Sequence, residues 1–188
     1  ENAWWNDVLE KGQKSEFYTF FDIDLKHPDF DGKVMVPFLG EPLESVLEQQ
    51  QLKLTFEETG FQIAYFDNNY PASINTYSFL LEKLVDKATG EEKKILEEKL
   101  TQLQQTIASD TLDIARWQQT KQDLFESIAQ HKSIKAHLEK LLQTINEDST
   151  QLKKLLDLQF FKLSFWQDTQ EKINYRRFFT VNDLICLR

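Results

Sequence analysis

Glu91-Glu92-Lys93-Lys94-Ile95-Leu96-Glu97-Glu98-Lys99-Leu100-Thr101-Gln102-Leu103-Gln104-Gln105-Thr106-Ile107-Ala108 decides the fold class of this chain. Leu96, Leu100, Leu103 and Ile107 step by four, three and four, which lines them along one face of a helix, with Glu, Lys and Gln on the other. The pattern extends both ways. Ser109-Asp110 reads as a break with an N-cap. Ile114, Trp117, Leu124 and Ile128 then form a second stripe, and Ile134, Leu138, Leu141 and Ile145 a third. From 72 to 146 there is no proline and one glycine, Gly90. The spacing predicts helices over 72–88, 91–108, 111–131 and 133–146, the last two either separate or continuous. Short connections imply antiparallel packing. The leucine stripe therefore reads as the seam of an internal hairpin in preference to a site for a partner helix.

Residues 1–71 differ. They hold all four prolines and four of the five glycines. Leu52-Lys53-Leu54-Thr55-Phe56 and Phe61-Gln62-Ile63-Ala64-Tyr65 alternate strictly across a Glu57–Gly60 turn and predict a hairpin. Lys33 to Leu39 reads as a short strand that Pro37 keeps at an edge or ends. Pro42 opens a short helix through about Gln50. Beyond the helical stretch, Asp148-Ser149-Thr150 caps a further helix over 149–170. Leu152, Leu155, Leu156, Gln159, Leu163 and Trp166 are expected to share its face. The expectation is an α+β, mainly helical fold. It is a single domain over 1–188, with a β-rich subregion (1–71), a helical region (72–148) and a return helix with a distinctive tail (149–188).

Charge narrows the function. Twenty-two basic residues face 31 acidic ones in 188, a net −9. An acidic surface disfavours nucleic-acid binding and docking on anionic lipid. No apolar run is long enough to span a bilayer. The lone Cys186 excludes an internal disulfide and a cysteine zinc cage, and points to a cytoplasmic setting. Nucleophile-elbow, zincin, phosphate-loop and redox-cysteine patterns are absent, and no pair of carboxylates stands out as acid and nucleophile.

Four features remain. Asp22, Asp24, His27, Asp29 and Asp31 crowd the stretch before Gly32, but the steps do not fit an EF-hand and His-Pro-Asp-Phe-Asp-Gly suits a turn, so no metal is expected. Trp4 and Trp5 suit either a sugar face or a core, and position favours the core. His131 and His137 are six apart, off the i, i+4 spacing of a metal pair, and read as solvated surface. The tail, Asn174-Tyr175-Arg176-Arg177-Phe178-Phe179-Thr180-Val181-Asn182-Asp183, concentrates donor forks and aromatic faces. It suits a polyhydroxylated or anionic ligand, or equally a segment docked back on its own domain.

That tail, as Ile173-Asn174-Tyr175-Arg176-Arg177-Phe178-Phe179-Thr180-Val181-Asn182-Asp183-Leu184, closely resembles a signature of the malto-oligosyltrehalose synthase family, (1→4)-α-D-glucan 1-α-D-glucosylmutases of the α-amylase-like clan. Glu1-Asn2-Ala3-Trp4-Trp5-Asn6-Asp7-Val8-Leu9-Glu10-Lys11-Gly12 resembles the family's segment after its third barrel strand. Phe20-Phe21-Asp22-Ile23-Asp24, Val36-Pro37-Phe38-Leu39-Gly40, Tyr65-Phe66-Asp67 with Tyr70-Pro71, and Leu155-Leu156, Gln159-Phe160, Leu163 and Trp166 are similar too, in family order. Residues 85–148 carry no such likeness. The resemblance implies an excised piece: the domain B excursion of a (β/α)8-barrel enzyme, with its ends close together. The first residue, Glu1, and the apolar run before Arg188 fit such a piece. It implies that the catalytic carboxylates lie outside this chain, which is noncatalytic alone and takes no cofactor. It also implies a malto-oligosaccharide substrate for the complete enzyme and the parent's barrel as partner. Tyr175, Arg176, Arg177, Phe178 and Phe179 would wall the sugar cleft, with Asn182 and Asp183 orienting. The alternative is a helical protein-interaction module with no sugar chemistry. An independent enzyme has no residue set behind it.

Overall fold

A computed structural model describes residues 2–26, 28–109, 111–168 and 173–176. Helix α1 (Ala3–Lys11) opens on Asn2, whose side-chain oxygen accepts from the N–H groups of Trp4 and Trp5 at 3.1 and 3.3 Å. It stops at Gly12, which has φ 60° and lies so near Phe160 that a Cβ would come within 2.8 Å of the ring. Only glycine fits there.

Strand β1 (Val34–Leu39) precedes α2 (Leu43–Glu48), with Pro42 as the residue before the helix. Strands β2 (Leu52–Glu57), β3 (Gly60–Tyr65) and β4 (Asn68–Pro71) form an antiparallel meander. Leu54 faces Ile63 and Phe56 faces Phe61, which is the expected hairpin; the third strand, pairing Ile63 with Tyr70, is an addition to it. Pro71 ends that strand at the sheet edge, where its missing N–H is tolerated.

The helices follow: α3 (Ile74–Lys87), α4 (Gly90–Ile107), α5 (Ile114–Gln130), α6 (Lys132–Glu147) and α7 (Ser149–Leu156). Helix α4 packs on α3 and on α5, while α6 lies on α3 and β2. Leu96 and Leu103 are buried, and Leu100 and Ile107 pack at the margin of the core, so the leucine stripe is an internal seam. Helices α5 and α6 are separate, divided by His131 in extended conformation. The cap of α5 is Asp113, which accepts from Arg116 N at 3.0 Å; it stands three residues beyond the expected Ser109-Asp110. Asn146 on α6 pairs both ways with Leu54, accepting its N–H (2.7 Å) and donating to its carbonyl (2.9 Å). That satisfies both main-chain groups of Leu54 on the outer edge of β2, which lies at the side of the meander.

The expected helix over 149–170 is a correction. Helix α7 ends at Leu156, and β5 (Phe161–Phe165) runs parallel to β1, with Val34 opposite Phe161 and Val36 opposite Leu163. Phe161-Lys162-Leu163-Ser164-Phe165 alternates with period two, and pairing β1 outweighs a further helical turn. The register shifts between Val36 and Leu39, around Pro37. Gln159 pins the chain at the break. Its side chain accepts from Ser73 N at 2.7 Å and donates to Thr76 Oγ1 and the Leu155 carbonyl, tying the end of α7 to the start of α3. Leu163 is buried and Trp166 exposed, so the six residues do not share one face. No described helix is long and apolar enough to cross a membrane.

Candidate functional site

The tail meets the rest of the fold at Asn174. Its amide accepts from Met35 N (2.9 Å) and donates to the carbonyls of Lys33 (2.7 Å) and Asp24 (3.1 Å). Main-chain bonds run alongside, from Asp24 N to the Asn174 carbonyl and from Arg176 N to the Asp22 carbonyl at 3.0 Å. Ile23 and Tyr175 form an antiparallel bridge. Tyr175 turns inward: its ring lies 5.2 Å from that of Trp5, which meets Phe21 edge-on at 4.9 Å. All three rings are buried. Arg176, the next residue, is exposed. Arg177, Phe178, Phe179, Asn182 and Asp183 lie outside the described residues, as does the expected meeting of the chain ends.

Beside this buried trio sits an exposed one. Trp4 stacks on Phe17 with centroids 5.5 Å apart and planes 13° from parallel, and Phe20 packs edge-on against both rings. Trp4 and Phe20 each keep 42% of their surface exposed. One helical step separates Trp4 from Trp5, enough to send one outward and one into the core. The adjacency of the two tryptophans carried that ambiguity in the sequence; Phe17 gave no signal, and Phe20 only as part of a family-like segment. Tyr18, between them, has its phenol pushed above its ordinary pKa by burial. The platform offers flat faces for stacking and no nucleophile.

Phe66 is a second exposed aromatic that the residues alone did not single out. It occupies the two-residue β3–β4 turn at φ 50°, with 69% of its surface exposed. Such a conformation is disfavoured for a bulky side chain. Tyr65 holds it edge-on at 4.7 Å, and the Tyr65 hydroxyl accepts from Gly40 N at 3.0 Å.

The acidic stretch begins at the Ile23–Tyr175 bridge and continues, where it is described, as turn. Asp24 accepts from Lys26 N at 2.9 Å, an Asx turn, and His27 lies outside the described residues. Among the described residues no three metal-ligating side chains converge. His131 Nδ1 is 2.8 Å from the Ser127 carbonyl, and His137 Nδ1 is 2.7 Å from Glu92 Oε1, on separate contacts.

What the described residues define is an α+β unit whose aromatic platform adjoins the root of its tail. No protein-family model and no curated protein matches the chain. Solved structures do. The maltooligosyltrehalose synthase from Arthrobacter ramosus matches over 100% of this chain at 20% identity, with a TM-score of 0.51, and a point variant of it gives the same values. Another maltooligosyltrehalose synthase is covered at 21% identity over 97% of the chain, with a TM-score of 0.48. At these identities the likeness is one of fold. The chain spans 14% of the length of each of these synthases. The fold is thus that of a part of maltooligosyltrehalose synthase, the family that the sequence resembles.

Proposed function

We propose that this chain is the domain B part of a trehalose-forming glucan isomerase, inserted after the third strand of a (β/α)8 barrel and noncatalytic by itself. The observation that carries the reading is the match of the entire chain to one segment of a much longer synthase. The ordered family-like segments at both ends of the sequence support it.

The parent enzyme would act at the reducing end of a malto-oligosaccharide. A carboxylate of the barrel attacks the anomeric carbon, and a protonated carboxyl assists departure of the terminal glucose. That glucose turns and attacks the same anomeric carbon with its own anomeric hydroxyl; the hydroxyl proton passes to the carboxylate that had acted as acid, the bond to the attacking carboxylate breaks, and the α-1,4 link becomes α,α-1,1. Two demands follow: water must stay out, and the freed glucose must rotate without escaping. This chain would supply the wall that meets both. Arg176 and Arg177 offer donor forks, Phe178 and Phe179 apolar faces, and Asn182 and Asp183 orienting groups. Tyr175, seated on Trp5, anchors the segment from beneath. The platform of Trp4, Phe17 and Phe20 suits the same cleft by stacking.

Two measurements test this. The parent reading frame should carry Asp-x-x-x-Asn-His before this chain and Arg-x-Asp-His after it. In the complete enzyme, Phe178→Ala or Phe179→Ala should raise the ratio of hydrolysis to isomerisation, because part of the water barrier is lost. A ratio unchanged in both variants removes the two residues from the wall.

A further inference from the structure

The helical region has its own concave site, lined by none of the described tail residues. Where α5 meets α6 at His131, the turn end of β2 closes a third side, leaving a groove of about 630 Å3. Phe56, Phe125, Ile128, Leu138 and Leu142 form its apolar floor. Ile128 and Leu138 are buried in the core, whereas Phe56, Phe125 and Leu142 remain half-buried and present their outer faces. Phe56 and Phe125 meet edge-on at 5.0 Å, which fixes the floor.

The rim is charged and unbalanced. Glu57, Glu58 and Glu139 stand over the floor against a single cation, Lys135. None of the three carboxylates forms an ion pair among the described residues. The groove also continues. A second cleft of about 470 Å3 shares Glu58 and Phe125 with it and adds Glu126. The lysines of that cleft, Lys11 and Lys121, are already paired with Asp7 and Glu10. Unpaired acid thus outnumbers unpaired base along the groove and its continuation among the described residues.

We infer that this groove is a docking site for a basic amphipathic helix of a partner protein. The occupant follows from charge and length. Lys135 to Leu142 is eight residues of α6, whose seven steps span about 10 Å or two helical turns. A guest helix of two to three turns would place apolar anchors at i, i+3 or i+4, and i+7 on the floor. Its lysines or arginines would then fall opposite Glu57, Glu58 and Glu139, where steering and register are set. This assignment is independent of the sugar-cleft reading.

The probe is a synthetic peptide of about 15 residues, Leu at those anchor spacings and Lys between them, with a twin carrying Glu for Lys. Binding to the full 188-residue chain is read by fluorescence anisotropy. The Lys peptide should bind at least about tenfold tighter than its twin, and the gap should shrink as salt rises from about 20 to about 200 mM. The triple variant Glu57→Lys, Glu58→Lys, Glu139→Lys changes only exposed side chains and should reverse the preference. Leu142→Glu should weaken both peptides. No saturable binding, equal binding of the twins, or an unaltered preference in the triple variant overturns the assignment. So does a concentration-dependent dimer that the triple variant abolishes, since the occupant would then be a second copy.

Discussion

The side-chain oxygen of Asn174 accepts the main-chain N–H of Met35 at 2.9 Å, across 139 positions of sequence. The same amide donates to the carbonyls of Lys33 and Asp24, so one side chain, 2% exposed, ties the tail to two backbone segments through three main-chain groups. The bond to Met35 is buried and those to Lys33 and Asp24 are partly so. Asn174→Ala should therefore cost about 3 kcal/mol, the scale of one buried and two partly buried polar groups left unpaired. Asn174→Asp should be no better, because it sets a carboxylate against two carbonyls and removes both donors. Urea unfolding checks both, and a parent-like midpoint for the alanine variant would show that the bonds carry no net stability.

Gly60 is required by Tyr77. Its φ is 124°, and an added Cβ would stand 2.2 Å from the Tyr77 hydroxyl. That hydroxyl is buried, and the phenol is pushed well above its ordinary pKa by burial first and by Glu10 second. Gly60→Ala should destabilise the chain by about 3 kcal/mol, part backbone strain and part collision. Tyr77→Phe removes the colliding oxygen. In the double variant about half the loss should return, the remainder being the φ strain that no partner relieves. Additive losses in the cycle would put the whole cost in the backbone.

Legibility followed periodicity. The helices were readable because leucine and isoleucine recur at three and four along residues with almost no glycine or proline. The β2–β3 hairpin was readable from strict alternation. The segment after Leu156 misled for a definable reason: Gln159, Leu163 and Trp166 continue a helical spacing by chance of residue type, while the period-two reading of Phe161 to Phe165 needs β1 as partner. Pairing between residues about 127 apart leaves no local mark. The site divides the same way. Tyr175 and Arg176 were conspicuous by type, but which of them faces inward depends on Trp5. The platform residues Phe17 and Phe20 carried no periodic signal, and Phe20 stood out only within a family-like segment.

Lys121 on α5 meets Glu10 on α1 at 2.6 Å, with both side chains mostly buried. Its ammonium also lies 5.7 Å from the Tyr77 ring and 5.8 Å from that of Trp117. The contact joins the helical region to the helix that carries Trp4 and Trp5. Lys121→Met keeps the aliphatic stem but strands Glu10, and should cost about 2 kcal/mol, less than for a fully buried pair. Lys121→Met with Glu10→Gln should cost less than the sum of the two. A cycle with no coupling would mean that solvent screens the pair completely.

Asp148 gives the fold a pH dependence of known sign. Its carboxylate caps α7, accepting from Thr150 N at 2.9 Å and Gln151 N at 3.2 Å, while Gln151 Nε2 donates to its second oxygen at 3.0 Å. The Gln151 side-chain bond, followed by the main-chain ones, holds its pKa below the ordinary carboxylate value. A lowered folded-state pKa means that the charged form is favoured by folding. The stabilisation is complete above the unfolded pKa of about 3.9 and fades as pH falls through the folded value. Asp148→Asn keeps an acceptor for the cap but cannot ionise. The parent should therefore unfold at higher urea than Asp148→Asn at pH near 7, and the gap should narrow as pH falls below the ordinary carboxylate value of about 3.9. A gap that stays constant over that range would place the cap's contribution in hydrogen-bond geometry alone, with none in charge.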